Sequence, residues 1–258
     1  MSLLLIEIVS EGMIFGADRN VTHIYERLGV SKVEIHGQSQ RTKVLRWPNR
    51  RALIGYVGAA EIGGLPTDEW LYEFIGDNLE FQSFREMAFS LSGKVQEQRY
   101  LDEKGSSAEL LILHLGGFEK REGVWVPSIW HIRNTHGTGA NEYLDVKKDF
   151  LCTEVEWPWP TQEQRTRFGE RAQSFDPFWI HQTEDLGTFN TIEAFLKAAF
   201  KVLCEQGHGT HAFPSSLSEW ERQVKMSILT YSAYFQAYKG PGEQLVGGGA
   251  DTVSLKWP

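Results

Sequence analysis

The chain has 258 residues, 41% of them hydrophobic, which suffices for a large core without disulfide or metal staples and excludes intrinsic disorder for its bulk. Its 26 basic and 34 acidic side chains leave a net charge of −8, which repels a nucleic-acid backbone and an anionic membrane alike. The two cysteines, Cys152 and Cys204, have neither C-x-x-C spacing nor a metal-ligand array and read as reduced thiols of a cytoplasmic protein.

Residues 3 to 9 and Met13 to Ala17 are apolar runs around the turn signal Glu11-Gly12, a pattern that predicts a hairpin of buried strands. Leu3-Leu4-Leu5-Ile6 is cut by Glu7 and shows neither a basic leader nor a cleavage site, so the expectation is a fold that starts directly with a buried strand. Asn20 to Gly29 reads as loop and Lys32 to His36 as a short strand. Lys43 to Trp47 and Ala52 to Val57 form a second hairpin around Pro48-Asn49.

Thr67 and Asp68 lead into a helix with Trp70, Leu71, Phe74, Ile75 and Leu79 on one face. Phe84, Met87, Ala88, Leu91 and Val95 repeat that spacing in a second helix. Leu110 to Leu115 and Val124 to Ile132 return to strand composition, joined by Gly116-Gly117 and a charged loop. Tyr143 to Glu156 is a third β stretch, broken by Trp157-Pro-Trp-Pro160. Helical segments follow at 161–175, 189–206 and 216–237, with Ser218 and Glu221 spaced as a capping box for the last. Val246 to Lys256 reads as a closing strand behind Gly247-Gly248-Gly249. Strands, two helices, strands, helices and one strand is a blocked order, which favours stacked sheets between helix layers over an alternating parallel sheet.

No P-loop, G-x-S-x-G elbow, H-E-x-x-H helix or paired-cysteine zinc site is present. His208 and His211 lie three apart in a loop and suggest no metal site; the 9 tryptophans read as core or subunit-contact residues. The informative stretch is the first sixty residues: Glu11-Gly12-Met-Ile-Phe-Gly-Ala-Asp18-Arg19, then Lys43-Val44-x-Arg46, then Leu53-Ile54-Gly55-Tyr56-Val57-Gly58-Ala59. With Gly248-Gly249-Ala250-Asp251-Thr-Val-Ser-Leu near the far end, these landmarks resemble the proteasome β-type family of N-terminal-nucleophile (Ntn) hydrolases.

That resemblance implies an α+β fold of one domain over residues 1–258, a four-layer αββα sandwich, with 207–243 as a helical insertion. It implies a hydrolase of peptide or other amide bonds in which a freed amino-terminal hydroxyl residue is the nucleophile and its own α-amine the base. Counting back from Asp18 through Gly12 places Ser2 on that position, once Met1 is removed. Lys43 would stand beside the nucleophile, Asp18 would hold Lys43, and the Gly58 N–H would face the oxyanion. Lys32-Val33 competes for the lysine role, and Lys43 is preferred because it keeps the spacing to Gly55 and Gly58. The resemblance implies no metal or other cofactor. It also implies self-association, often in rings, and leaves an ATPase partner open.

The chain departs from the family pattern in two places. Leu151-Cys152-Thr153-Glu154 stands where a Gly-Ser-Gly-Ser turn is expected, and Tyr238-Lys239-Gly240-Pro241-Gly242 replaces an Asp and Ser before the last strand. Each candidate also has a plainer reading: Ser2 as an inert or vector-derived second residue, Asp18 as a turn cap or ion-pair partner, Lys43 as a solvated charge, Gly58 as a packing glycine. Two further readings follow, a non-catalytic subunit of the same fold and an unrelated ligand-binding sandwich.

Overall fold

In the computed structural model, the described residues are 3–9, 11–21, 39–48, 51–77, 81, 83–102, 109–136, 146–155, 179–182, 214–239 and 247–258. In chain order they form β1 (Leu4–Val9), β2 (Gly12–Asp18), β3 (Asn20–Val21), β4 (Ser39–Gln40), β5 (Val44–Trp47), β6 (Ala52–Gly58), β7 (Glu61–Ile62) and β8 (Leu65–Pro66). Then come α1 (Thr67–Asp77), α2 (Phe84–Asp102), β9 (Leu111–Arg121), β10 (Val124–Thr135), β11 (Val146–Glu154), β12 (Trp179–Gln182), α3 (Leu217–Lys239) and β13 (Ala250–Lys256). The architecture is mixed α/β with antiparallel sheets: a first sheet of order β12-β1-β2-β13 and a second of order β11-β10-β9-β6-β5.

Three apolar cores follow from the period-2 alternation of the strands. One face of β1 and β2 (Leu4, Ile6, Phe15) meets Leu53, Ile112 and Ile129 of the second sheet. The other face (Leu3, Leu5, Ile14) is covered by Trp220, Val224 and Ile228 of α3. On the far side of the second sheet, Ile54, Leu113 and Leu115 pack under Leu71 and Phe74 of α1 and Leu91 and Val95 of α2. Burial on both faces explains why β1 and β2 read as nearly continuous apolar runs. Burying each of these large side chains contributes about 1.5–3 kcal/mol against leaving it exposed.

The two sheets approach closely where side chains are missing. A methyl group at Gly55 would stand 2.8 Å from a Leu4 methyl, and one at Gly116 would stand 2.7 Å from the Phe15 ring. This explains a departure from the expected β9–β10 connection. Gly116 and Gly117 are not a turn but the middle of β9; the chain reverses at Glu122 and Gly123, both at positive φ. The glycines there serve inter-layer contact, a use that composition alone does not separate from turning.

The cap of α3 also differs from expectation. Glu219 N donates to Ser216 Oγ at 3.4 Å, while Ser215 N and Oγ donate to the Glu219 carboxylate at 2.6 and 2.9 Å. The pattern S-x-x-E occurs twice in this stretch, at Ser216-Glu219 and Ser218-Glu221, and the first occurrence caps the helix. The strand expected at Lys32 to His36, the Trp157-Pro160 break and the helices expected at 161–175 and 189–206 lie outside the described residues. β12 has no counterpart among the expected strands, because four residues, Trp-Ile-His-Gln, are too few to show a period. Among the described residues no helix is long and apolar enough to cross a membrane.

Candidate active site

β2 ends at Asp18, whose side chain is fully buried. A carboxylate in that position needs donors, and the backbone supplies three: Leu3 N at 2.8 Å to Oδ1, and Asn20 N and Gly247 N, each at 3.2 Å to Oδ2. The fourth is the Lys43 ammonium, 2.9 Å from Oδ1, which also donates to the Asn20 carbonyl oxygen. Lys43 is as buried as Asp18, at 1% exposure against 0%.

Twenty-five residues separate the pair, yet a short ladder closes the excursion. β3 pairs with β4 (Asn20 with Gln40, Val21 with Ser39), and Arg41 N donates to the Arg19 carbonyl at 2.9 Å. The returning chain then enters β5, where Tyr56 N donates to the Lys43 carbonyl at 3.0 Å. The competing Lys32 lies outside the described residues, as does Ser2. Leu3, which follows Ser2, is described, and its amide nitrogen is the one held on Asp18 Oδ1.

Gly58 closes β6 on the same end of the second sheet, exposed and at φ +102°, a conformation open to glycine. A Cβ there would overlap the Leu110 carbonyl oxygen, to which Ala59 N donates at 2.7 Å. The chain's far end completes the surroundings. Gly247, Gly248 and Gly249 all have positive φ; the Gly247 carbonyl accepts Arg19 N and Asn20 N, and Arg19 pairs with Asp251 at 3.3 Å.

The sequence points to Asp18, Lys43 and Gly58 as one group but gives no sign of Asn20, Gly247, Arg41 and Asp68 as neighbours of that group. The first two act through backbone atoms, which leave no residue signature. Arg41 and Asp68 form an ion pair at 3.7 Å, and Asp68 is visible in the sequence only as a residue leading into a helix. Among the described residues no three His, Cys, Asp or Glu side chains are grouped so as to hold a metal ion.

Chemically, the cluster presents a buried ammonium fixed on a carboxylate beside the start of β1. It is suited to hold positive charge next to whatever group precedes Leu3.

No family model matches the chain, and no curated protein does. Among solved structures it is similar to an Anbu (Gly-1) mutant from Hyphomicrobium sp. strain MC1, at 12% identity and a TM-score of 0.50, covering 99% of this chain and 82% of that one. It is also similar to Anbu (ancestral beta-subunit) from Yersinia bercovieri, at 14% identity and a TM-score of 0.48, covering 98% and 81%.

These findings correct the assignment to the proteasome β-type family: the neighbours are Anbu proteins, proteasome-related but distinct. The landmarks misled because they are demands of a backbone: a glycine against a neighbouring strand, an acid at a strand end, a glycine at positive φ. What the chain shares with the Hyphomicrobium Anbu protein, at 12% identity, is the fold alone.

Proposed function

We propose that this chain is an N-terminal-nucleophile amidohydrolase that cleaves peptide or other amide bonds through an acyl-enzyme on Ser2. The observation that carries the reading is that Leu3 N and Lys43 Nζ donate to one oxygen, Asp18 Oδ1, at 2.8 and 2.9 Å. In the sequence Ser2 directly precedes that held nitrogen.

In this reading Ser2 Oγ attacks the amide carbonyl and its proton passes to the Ser2 α-amine, whose ordinary pKa of about 8 leaves a neutral fraction at physiological pH. The carbonyl oxygen becomes an oxyanion facing the Gly58 N–H. Collapse breaks the C–N bond, the leaving amine takes the proton, and an ester to Ser2 remains. Water, deprotonated by the same α-amine, then attacks the ester; the C–O bond to Ser2 breaks, the α-ammonium returns the proton to Oγ, and the acid is released. Lys43 supplies fixed positive charge throughout, and Asp18 holds it in place.

The α-amine must be free, so the reading requires Met1 to be absent from the mature protein. It carries with it a single αββα-layered domain, with 207–243 as an insertion. It also carries a cytoplasmic setting, chemistry without metal or cofactor, and self-association that native mass would reveal.

The complete burial of Asp18 and Lys43 favours one second reading, a non-catalytic subunit of the same fold in which the pair only anchors β1. Two measurements separate the readings. Intact mass of untagged protein is expected to show loss of Met1; quantitative retention sinks the enzyme reading. An epoxyketone or β-lactone is then expected to add to Ser2, and Lys43→Ala to abolish the adduct. Absence of any adduct on protein with a free Ser2 leaves the structural subunit.

A further inference from the structure

We propose that Asp68 is a positioning residue that locks the backbone carrying Lys43 to the loop carrying Gly58. This rests on the amidohydrolase reading, whose geometry it deepens.

The two segments share a last ladder bond at Tyr56 N to Lys43 O, 3.0 Å. Beyond that rung the Thr42 amide turns to Asp68 Oδ2, at 3.4 Å, in place of a strand partner. Asp68 Oδ1 stands 3.7 Å from Arg41 Nη1, and Arg41 is held a second time by Glu69. The residue before Asp68 grips the other segment: Thr67 Oγ1 donates to the Ala59 carbonyl at 2.8 Å, and Thr67 N to the Ala60 carbonyl at 2.9 Å. The dipeptide that opens α1 therefore ties Arg41-Thr42 on one side to Gly58-Ala59-Ala60 on the other.

An acid in the first helical turn is favoured by the macrodipole wherever it points. Exposed Glu69 would satisfy that preference, but Asp68 is buried at 7% exposure. Of its two oxygens, Oδ2 accepts from the Thr42 amide, while Oδ1 has the Arg41 guanidinium in ion-pair range and no hydrogen bond among the described residues. The consequence is geometric. The Lys43 ammonium and the Gly58 N–H must be held a fixed distance apart for one to face the nucleophile and the other the oxyanion.

The test is the labelling rate of mature protein with a β-lactone, read as kinact and KI across pH. Asp68→Ala is expected to lower kinact about tenfold, as expected for sub-ångström misplacement, with KI and the midpoint pH unchanged because the clamp moves no proton. Asp68→Asn keeps an acceptor for the Thr42 amide and should recover most of the loss. Glu69→Gln should stay within about twofold of wild type, since it removes only the exposed arm of the clamp. Should Asp68→Ala melt too low to assay, Arg41→Gln, at a partly exposed side chain, takes its place with the same expected direction. Wild-type kinact in both folded variants overturns the positioning role and leaves the amidohydrolase reading standing. A wild-type protein with free Ser2 that takes no label overturns both.

Discussion

The Lys43 ammonium lies 2.9 Å from Asp18 Oδ1 with both side chains closed to solvent, and the two residues depend on this contact unequally. Without Lys43, the Asp18 side chain keeps three backbone N–H donors. Without Asp18, the Leu3 and Gly247 amides lose this acceptor, while the ammonium and the Asn20 amide keep the Asn20 and Gly247 carbonyls respectively. Asp18→Ala should therefore cost about 3–5 kcal/mol of folding stability, and Lys43→Met about 1–3 kcal/mol. Urea unfolding of the two variants measures the difference; equal costs, or a larger one for Lys43→Met, would show that the ammonium and not the amide set anchors the site.

Gly58 and Gly93 make a contrasting pair. Gly58 has φ +102°, and a Cβ there would overlap the Leu110 carbonyl oxygen, so Gly58→Ala should destabilise by more than about 2 kcal/mol. Gly93 lies exposed within α2 with none of the described residues near its absent side chain, so Gly93→Ala should stabilise by about 0.5–1 kcal/mol through helix propensity and a less free unfolded chain. Thermal melting of both variants against wild type gives the signs. A neutral Gly58→Ala would mean that the β6 end relaxes away from β9 and that its N–H is not rigidly aimed.

Periodic segments are legible in the sequence because burial repeats at the period of the element. Phe84, Met87, Ala88, Leu91 and Val95 all lie in the core under α2. The β1–β2 hairpin is legible because two apolar runs, the first interrupted only by Glu7, flank the turn signal Glu11-Gly12. The candidate site is legible only where side chains carry it. Asp18 and Lys43 can be named, but the Gly247 amide reaches Asp18 across 229 residues and the Asn20 carbonyl reaches Lys43 through backbone, and neither leaves a pattern in composition. Glycine is the least readable residue. At Gly116 it admits Phe15, at Gly58 it permits a positive φ, and at Gly123 it turns the chain, three different uses of the same missing side chain.

His131 stands edge-on to His114 across the β9–β10 ladder, with ring centroids 4.4 Å apart. Burial, aided by the nearby Arg133 charge, pushes its pKa down from 6.5 to about 4. A depressed folded pKa means that below pH 6.5 the unfolded chain binds a proton that the folded chain refuses. Stability present above pH 6.5 is then lost as pH falls to about 4, by up to about 3 kcal/mol. His131→Gln should remove this contribution, so that in denaturation curves taken from pH 7 to 4 the variant gains stability relative to wild type as pH falls below 6.5. A difference between variant and wild type that stays constant across that range would show that His131 is not the group that resists protonation in the fold.

Glu7 titrates in the opposite sense, and the two groups mask one another. Leu3, Leu5 and Val9 point at α3, and alternation puts Glu7 on that same face of β1, fully buried with Oε2 making no hydrogen bond among the described residues. Burial raises its pKa from 4.5 to about 8. A raised folded pKa on a carboxyl means that between pH 4.5 and 8 the folded chain holds a proton that the unfolded chain has released, so stability falls as pH rises through that window. Between pH 4.5 and 6.5 the Glu7 and His131 slopes are equal and opposite, one proton each, and wild type should be nearly flat there with respect to these two groups. Above pH 6.5 only Glu7 remains, and wild type should lose about 2 kcal/mol by pH 8. Glu7→Gln, which stays neutral, should abolish this alkaline loss and expose the His131 slope at lower pH. A Glu7→Gln protein whose stability still falls between pH 6.5 and 8 as steeply as wild type would show that Glu7 is already ionised in the fold, and that the core beneath α3 tolerates its charge.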